Sequence, residues 1–207
     1  MKTETAASSH FIREIYGHEL YGYQLVMQPA SGVYDKIMAV KQSSYDEYKD
    51  PSFMNDTPQI AIAAFFAKEA MEETLSRWLQ RICSRQHSFT VTLNNYSAVP
   101  GHTIYLRVQD ANPFRQLIND LQVLNTYIVS CACPPVQFNV KPFVSIAANI
   151  RKDVYPQALR QYAHRSFHES FVVNELHLLR KKYEYDVGKR VNVFGLQPEE
   201  NKQSVYP

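Results

Sequence analysis

Several features that declare a function outright are missing from this 207-residue chain. Its three cysteines, Cys83, Cys131 and Cys133, are an odd number at spacings that fit neither a disulfide framework nor a four-ligand zinc site. Reduced thiols and no metal centre are therefore expected. Cys131-Ala132-Cys133 is at most half a metal site, and an ordinary loop is the simpler reading. No run approaches the roughly 20 apolar residues of a membrane span, and Met1 to Arg13 lacks the apolar middle of a signal peptide. A cytoplasmic protein without membrane contact is expected. No glycine-rich phosphate turn is present, which removes the nucleotide-binding form of a parallel α/β sheet. Nor does one sign of charge dominate, since the formal net charge is +2. Residues 1–80 balance at −4 and residues 81–207 at +6. That bias is compatible with phosphate contact in the second half, although a solvated surface of mixed sign accounts for it as well. With 45% apolar and 20% charged residues the chain has the balance of a soluble globular protein, and it is long enough to bury a core without staples.

What is present is a repeated apolar run. Pro58-Gln59-Ile60-Ala61-Ile62-Ala63-Ala64 and Pro142-Phe143-Val144-Ser145-Ile146-Ala147-Ala148 both read Pro, X, β-branched, small, Ile, Ala, Ala, and they stand 84 residues apart. Alternation at period two predicts a strand for each, with position X and the small residue two further on sharing one face. If both faces look into a common cleft, Gln59, Ala61, Phe143 and Ser145 line one site.

The neighbouring segments repeat at the same offset. Glu19 to Gln28 reads as a strand stopped by Pro29-Ala30-Ser31-Gly32, and Val33 to Tyr48 as a helix. Lys68 to Ser84 is a helix with Ala70, Met71, Leu75, Trp78, Leu79 and Ile82 on one stripe. Ser88 to Leu93 and His102 to Val108 alternate as strands joined by Asn94-Asn95-Tyr96 and Pro100-Gly101. Asn112-Pro113 opens a helix reaching Leu124, with Asn112 as its cap. Asp153 to His164 is a shorter helix, Ser170 to Arg180 one strand, and Arg190 to Phe194 the last. A shift of 84 lays helix 68–84 over 152–168 and strand 88–93 over 172–177, so the order strand, helix, strand, helix, strand occurs twice. The expectation is an α+β fold with mainly antiparallel sheets around a central cleft. It is one bilobal domain over 1–196, with duplicated lobes built from 19–95 and 102–194, followed by a frayed tail over 197–207. A single parallel sheet fed by helices is the alternative.

These segments resemble the two-histidine phosphoesterases, which include bacterial 2′-5′ RNA ligases and cyclic phosphodiesterases, over Tyr21 to Phe194. The resemblance rests on Met27-Gln28-Pro29 closing the first strand, and on Thr57-Pro58 and Lys141-Pro142 leading the two runs. It also includes the strands Phe89-Thr90-Val91-Thr92-Leu93 and His102 to Val108, with Phe171 to Arg180 as the late strand. It implies a bilobal fold in which each lobe presents a His-X-Thr or His-X-Ser strand to the cleft. Two imidazoles facing each other across a phosphate serve as general base and acid, and each hydroxyl two residues on holds phosphate oxygens. The resemblance implies no metal and no other cofactor. Here the motif positions read Gln59-Ile60-Ala61 and Phe143-Val144-Ser145, so only Ser145 keeps the expected type. Gln59 can hydrogen-bond a phosphate or a base edge but shuttles no proton at neutral pH, and Phe143 does neither.

Of the seven histidines, His168-Glu169-Ser170 matches His-X-Ser formally but has no partner 84 residues away, and His102 begins a strand beside the expected cleft. Tyr21, Tyr23, Tyr105 and Phe143 are candidate cleft walls that could stack a base, although core packing accounts for most aromatics. Arg180-Lys181-Lys182 is a charge run at a strand end that reads as solvated surface. Three functions stand open at this point. One is a degenerate relative that binds a nucleotide, a phosphorylated small molecule or an RNA end through Gln59 and Ser145. Another is an altered phosphoesterase acting on 2′,3′-cyclic phosphates or RNA termini with other residues. The third is an interaction protein whose cleft Phe143 fills. Neither DNA nor a membrane is an expected partner.

Overall fold

The computed structural model of the protein describes residues 20–181 and 188–199. The polar N-terminal segment, Lys182 and the tail from residue 200 lie outside the described residues. The elements follow the order β1 (Leu20–Met27), α1 (Ser31–Tyr48), β2 (Ile60–Lys68), α2 (Glu72–Cys83), β3 (Phe89–Val99), β4 (Thr103–Val108), α3 (Asn112–Ser130), β5 (Gln137–Phe138), β6 (Phe143–Ala148), α4 (Tyr155–Ala163), β7 (His168–Val173), β8 (Glu175–Lys181) and β9 (Lys189–Gly195). Two sheets result, β5-β2-β1-β8-β9 and β6-β4-β3-β7, and each strand pairing in them is antiparallel. The fold is α+β, as the sequence predicts, and not a single parallel sheet.

Sheet membership does not follow two contiguous lobes. β3, from the expected 19–95 unit, pairs with β4, whereas β8 and β9, from the 102–194 unit, extend the sheet of β1 and β2. The helices cross over too. α1 packs on β6 and β7 and α4 on β3, while α2 packs on β9 and α3 on β2. The strand expected over Ser170 to Arg180 is consequently two strands. The chain leaves one sheet at Asn174, whose carbonyl accepts from the Leu196 N–H at 2.7 Å, and enters the other at Glu175.

Boundaries move for local reasons. β2 continues through Phe65, Phe66 and Ala67 to Lys68, because aromatic and small apolar residues suit a pleated, half-buried surface, so α2 begins only at Glu72. Its first turn carries Glu72 and Glu73 and its last turn Arg81, which favours both ends of the helix dipole. Asn94-Asn95 makes a bulge rather than a turn. Asn95 takes φ 58, which a short polar side chain tolerates, and β3 runs on to Val99 before the hairpin at Gly101, φ 88. Asn112 is the first helical residue and not the cap, its N–H held by the Asp110 carboxylate at 2.9 Å. Gln197, expected in the frayed tail, is tied down, donating to the Gln86 carbonyl (2.8 Å) and accepting from the Ser88 N–H (2.7 Å). In α1 the buried positions Val33, Ile37, Lys41, Ser44 and Tyr48 recur every three or four residues, so a lysine occupies a core position of an amphipathic helix.

Candidate functional site

The two apolar runs form β2 and β6, which touch across the gap between the sheets. Alternation buries Ile60 and Ile62 on one side of the first sheet and Val144 and Ile146 on one side of the second, all completely. Gln59, Ala61, Phe143 and Ser145 are half-buried and line a single cavity of about 180 Å³. The four motif positions are brought together.

Other residues complete the wall. Gln24 stands on β1 between buried Tyr23 and Leu25 and lies opposite Ala64 and Leu179. Lys181 ends β8 opposite Gly22. Asp56 and Thr57 arrive from the loop before β2, and Asn139 from the segment before β6. Asn139 fastens that segment to β2, its N–H bonding the Ile62 carbonyl at 2.9 Å and its Nδ2 the Ala61 carbonyl at 3.0 Å. Lys181 stood out in the sequence only as part of a charge run, and strand alternation separates it from its neighbour. Arg180 turns to the other face, bonding Glu69 and Glu72 at 2.6 and 3.0 Å and lying over the Tyr21 ring.

Three buried side-chain polar atoms among the described residues have no hydrogen-bond partner, and two of them, Gln24 Oε1 and Ser145 Oγ, belong to this wall. An unmet buried polar group costs about 1–3 kcal/mol, and these two cluster on the cavity wall that Lys181 also lines. The cavity is small. At roughly 30 Å³ per water it holds about six waters' worth of volume, below the roughly 300–1,000 Å³ of sites for whole drug-sized ligands. Its volume is that of a small polyatomic group and is too small to enclose an entire nucleotide.

Phe143 lines this space without closing it. Its ring packs on Tyr105, with centroids 5.0 Å apart at 50°, and Tyr105 pairs with Ser145 across β4 and β6. Tyr105 therefore stands beside the cleft, whereas Tyr23 and His102, also expected there, do not. Tyr23 is on the opposite face of β1 from Gln24, stacked on Phe65 at 5.4 Å and donating to Glu72 Oε2 at 3.0 Å. Burial, reinforced by the Glu72 carboxylate, holds its phenol far above the usual range. His102 is exposed in the hairpin turn with its Nδ1 2.6 Å from Thr103 Oγ1, at the end of β4 that pairs with Ala148. His168 is exposed at the start of β7, opposite Asn94.

Behind β6 lies a cation that periodicity alone concealed. Lys41 is fully buried and donates to the Ile146 carbonyl, one residue from Ser145, at 2.6 Å. Burial lowers its pKa to about 8, against the opposing pull of the Asp56 carboxylate. Among the described residues no group of three or more His, Cys, Asp or Glu could hold a metal ion, and no helix is long and apolar enough to cross a membrane.

Known proteins share this architecture. The family model of the 2′-5′ RNA ligase superfamily matches residues 31–183. Solved structures agree in fold at low identity: a crystal structure of a phosphoesterase (TM-score 0.65, 15% identity), TT0787 of Thermus thermophilus (0.63, 13%) and E. coli LigT complexed with 3′-AMP (0.59, 15%). Each likeness covers 86% of this chain and 99% of the other. No curated protein sequence matches the chain. With the family model spanning most of its length and the two antiparallel sheets meeting at the motif strands, the chain belongs to the 2′-5′ RNA ligase superfamily.

Proposed function

We propose that the cleft between β2 and β6 binds the phosphorylated end of a nucleotide or of an RNA, without the two-histidine chemistry that the family resemblance implies. The observation that carries this reading is the pair of buried, unpartnered atoms, Ser145 Oγ and Gln24 Oε1, on the wall of a phosphate-sized cavity that also presents Lys181. Lys181 supplies positive charge, while the Ser145 hydroxyl and the Gln59 amide supply neutral donors for phosphate oxygens. Gln24 Oε1 is an acceptor and suits a ligand O–H or N–H, such as a sugar hydroxyl. The volume leaves the base outside, at the rim formed by Tyr105 and Phe143. That E. coli LigT crystallised with 3′-AMP supports a nucleotide as the ligand class. Against the family's catalysis stand the amide at position 59 and the phenyl ring at position 143. A general acid or base contributes about 10²- to 10⁴-fold, and neither side chain is one.

Thermal-shift titration with 3′-AMP, adenosine and inorganic phosphate tests this reading. At 100 times its Kd, 3′-AMP stabilises by about 2.7 kcal/mol, phosphate binds more weakly, and adenosine gives no shift. Lys181→Ala weakens 3′-AMP by about tenfold, the loss of one charge-assisted contact of about 1.4 kcal/mol. Equal shifts from adenosine and 3′-AMP, or none from any phosphate compound, would overturn the binding site. Metal-free hydrolysis of 2′,3′-cyclic AMP would overturn the non-catalytic part.

A further inference from the structure

A larger cavity, of about 480 Å³, lies away from the cleft, between α2 and α3. Its apolar wall is made by Trp78 and Ile82 of α2 and Val123 of α3. Leu75, Leu79 and Cys83 are the residues that α2 gives to the core, so Trp78 and Ile82 sit at the edge of that stripe. Trp78 is held there by stacking on Tyr127 of α3, with centroids 5.6 Å apart and 25° between the planes. Val123 is 40% exposed, an aliphatic side chain that the fold leaves uncovered.

Arg81, in the last turn of α2, and Arg85, in the turn just past the end of α2 at Cys83, stand over this wall. Neither guanidinium forms an ion pair among the described residues. The one carboxylate of the lining, Asp120, accepts from Gln86 Nε2 at 2.6 Å. The helix dipole accounts for arginines near the end of α2, but not for the apolar cavity beside them.

We propose that this groove binds a small aromatic anion, with its ring against Trp78, Ile82 and Val123 and its carboxylate, sulfonate or phosphate between Arg81 and Arg85. The volume lies within the roughly 300–1,000 Å³ range of small-molecule sites, and an apolar wall with a few convergent polar groups is their usual construction. Two guanidinium groups without ion-pair partners among the described residues favour an anion over a neutral molecule of the same shape, and the planar fork of each suits a carboxylate, sulfonate or phosphate. An indole face at the edge of the groove adds a stacking surface for a ring. The site shares no residue with the cleft, and its occupancy does not depend on what the cleft binds.

Trp78 is the chain's one tryptophan, so its fluorescence reports on this groove. The probes are 8-anilinonaphthalene-1-sulfonate and its uncharged counterpart N-phenyl-1-naphthylamine. The expected result is one saturable sulfonate site per chain that quenches Trp78, with the uncharged dye binding about tenfold more weakly or not at all. Arg81→Ala combined with Arg85→Ala weakens the sulfonate by about tenfold or more, with the circular dichroism spectrum of the parent; Arg81→Gln with Arg85→Gln replaces that pair if it does not fold. The cleft variant Ser145→Ala with Lys181→Ala binds the sulfonate as the parent does. The proposal is overturned by equal affinity for the two dyes, by an arginine variant that binds like the parent, by loss of binding in the cleft variant, or by the absence of saturable quenching.

Discussion

Lys41→Met removes the buried ammonium behind the cleft, and its effect on stability depends on pH in a direction that the structure sets. Lys41 has 0% exposure, donates to the Ile146 carbonyl, and has its pKa lowered from 10.5 to about 8 by burial, with Asp56 offsetting part of that effect. The unfolded chain holds this proton more tightly than the folded protein does. Stability therefore rises as pH climbs from about 8 toward 10.5, where the unfolded state carries a charge that the folded state has shed. Below about pH 8 the folded protein bears the whole cost of the buried charge, about 3 kcal/mol at 1.36 kcal/mol per tenfold change in proton affinity. Methionine matches the side chain's bulk but leaves the Ile146 carbonyl unmet, a pH-independent cost of about 1–3 kcal/mol. The two effects nearly cancel at pH 7. On moving to pH 10, the parent gains on the variant by about 2–3 kcal/mol. Comparing the two proteins removes the contribution of Tyr23, Tyr96 and Tyr162, whose phenols burial pushes up and which act in the opposite direction. Urea unfolding followed by circular dichroism at pH 7, 8.5 and 10 measures the difference. A difference constant to about 0.5 kcal/mol across that range refutes a buried, protonated Lys41 at neutral pH.

Gly101→Ala places a β-carbon at φ 88, where nothing lies within 4 Å. The cost is the backbone's alone, about 1–2 kcal/mol in denaturant unfolding, and an unchanged midpoint would show that the hairpin adopts another turn. Burial pushes the Cys83 thiol up to about 12 and raises that of Cys133, while Cys131 is half-exposed. Alkylation of the native protein at pH 8, read by mass spectrometry, labels Cys131 first and Cys83 only after unfolding; early labelling of Cys83 contradicts its burial. Leu79→Ala in the fully buried stripe of α2 costs about 2–5 kcal/mol, and a loss below about 1 kcal/mol would mean that the helix relaxes into the space.

Much of the candidate site was legible because it depends on near neighbours in the chain. Two residues apart on a strand means one face, so Gln59 with Ala61 and Phe143 with Ser145 followed from spacing, and in the structure all four line one wall. The same alternation stated that Tyr23 and Gln24 face opposite ways, as do Arg180 and Lys181. It did not state which face meets the cleft. That depends on where α2 packs, because Glu72 and Glu69 draw Tyr23 and Arg180 to the helix side and leave Gln24 and Lys181 to the cleft. The break at Asn174 did leave a local trace: the buried residues are Phe171 and Val173 before it and Leu176 and Leu178 after it, so alternation changes phase across the two exposed residues Asn174 and Glu175, but that phase change does not say that the chain moves to the other sheet.

By itself, the sequence determined most of these strands and helices, though not β5 or the division of β7 from β8, and that the two motif strands carry an amide and a phenyl ring where the family resemblance implies imidazoles. Both are matters of residue identity and of periodicity over a few positions. Only the tertiary structure decided that β3 and β8 exchange sheets, that Gln24, Asn139 and Lys181 join the motif residues around one small cavity, and that Lys41 lies buried behind Ser145. Those outcomes come from strand pairing and helix docking between segments far apart in the chain, where no local pattern records the partner.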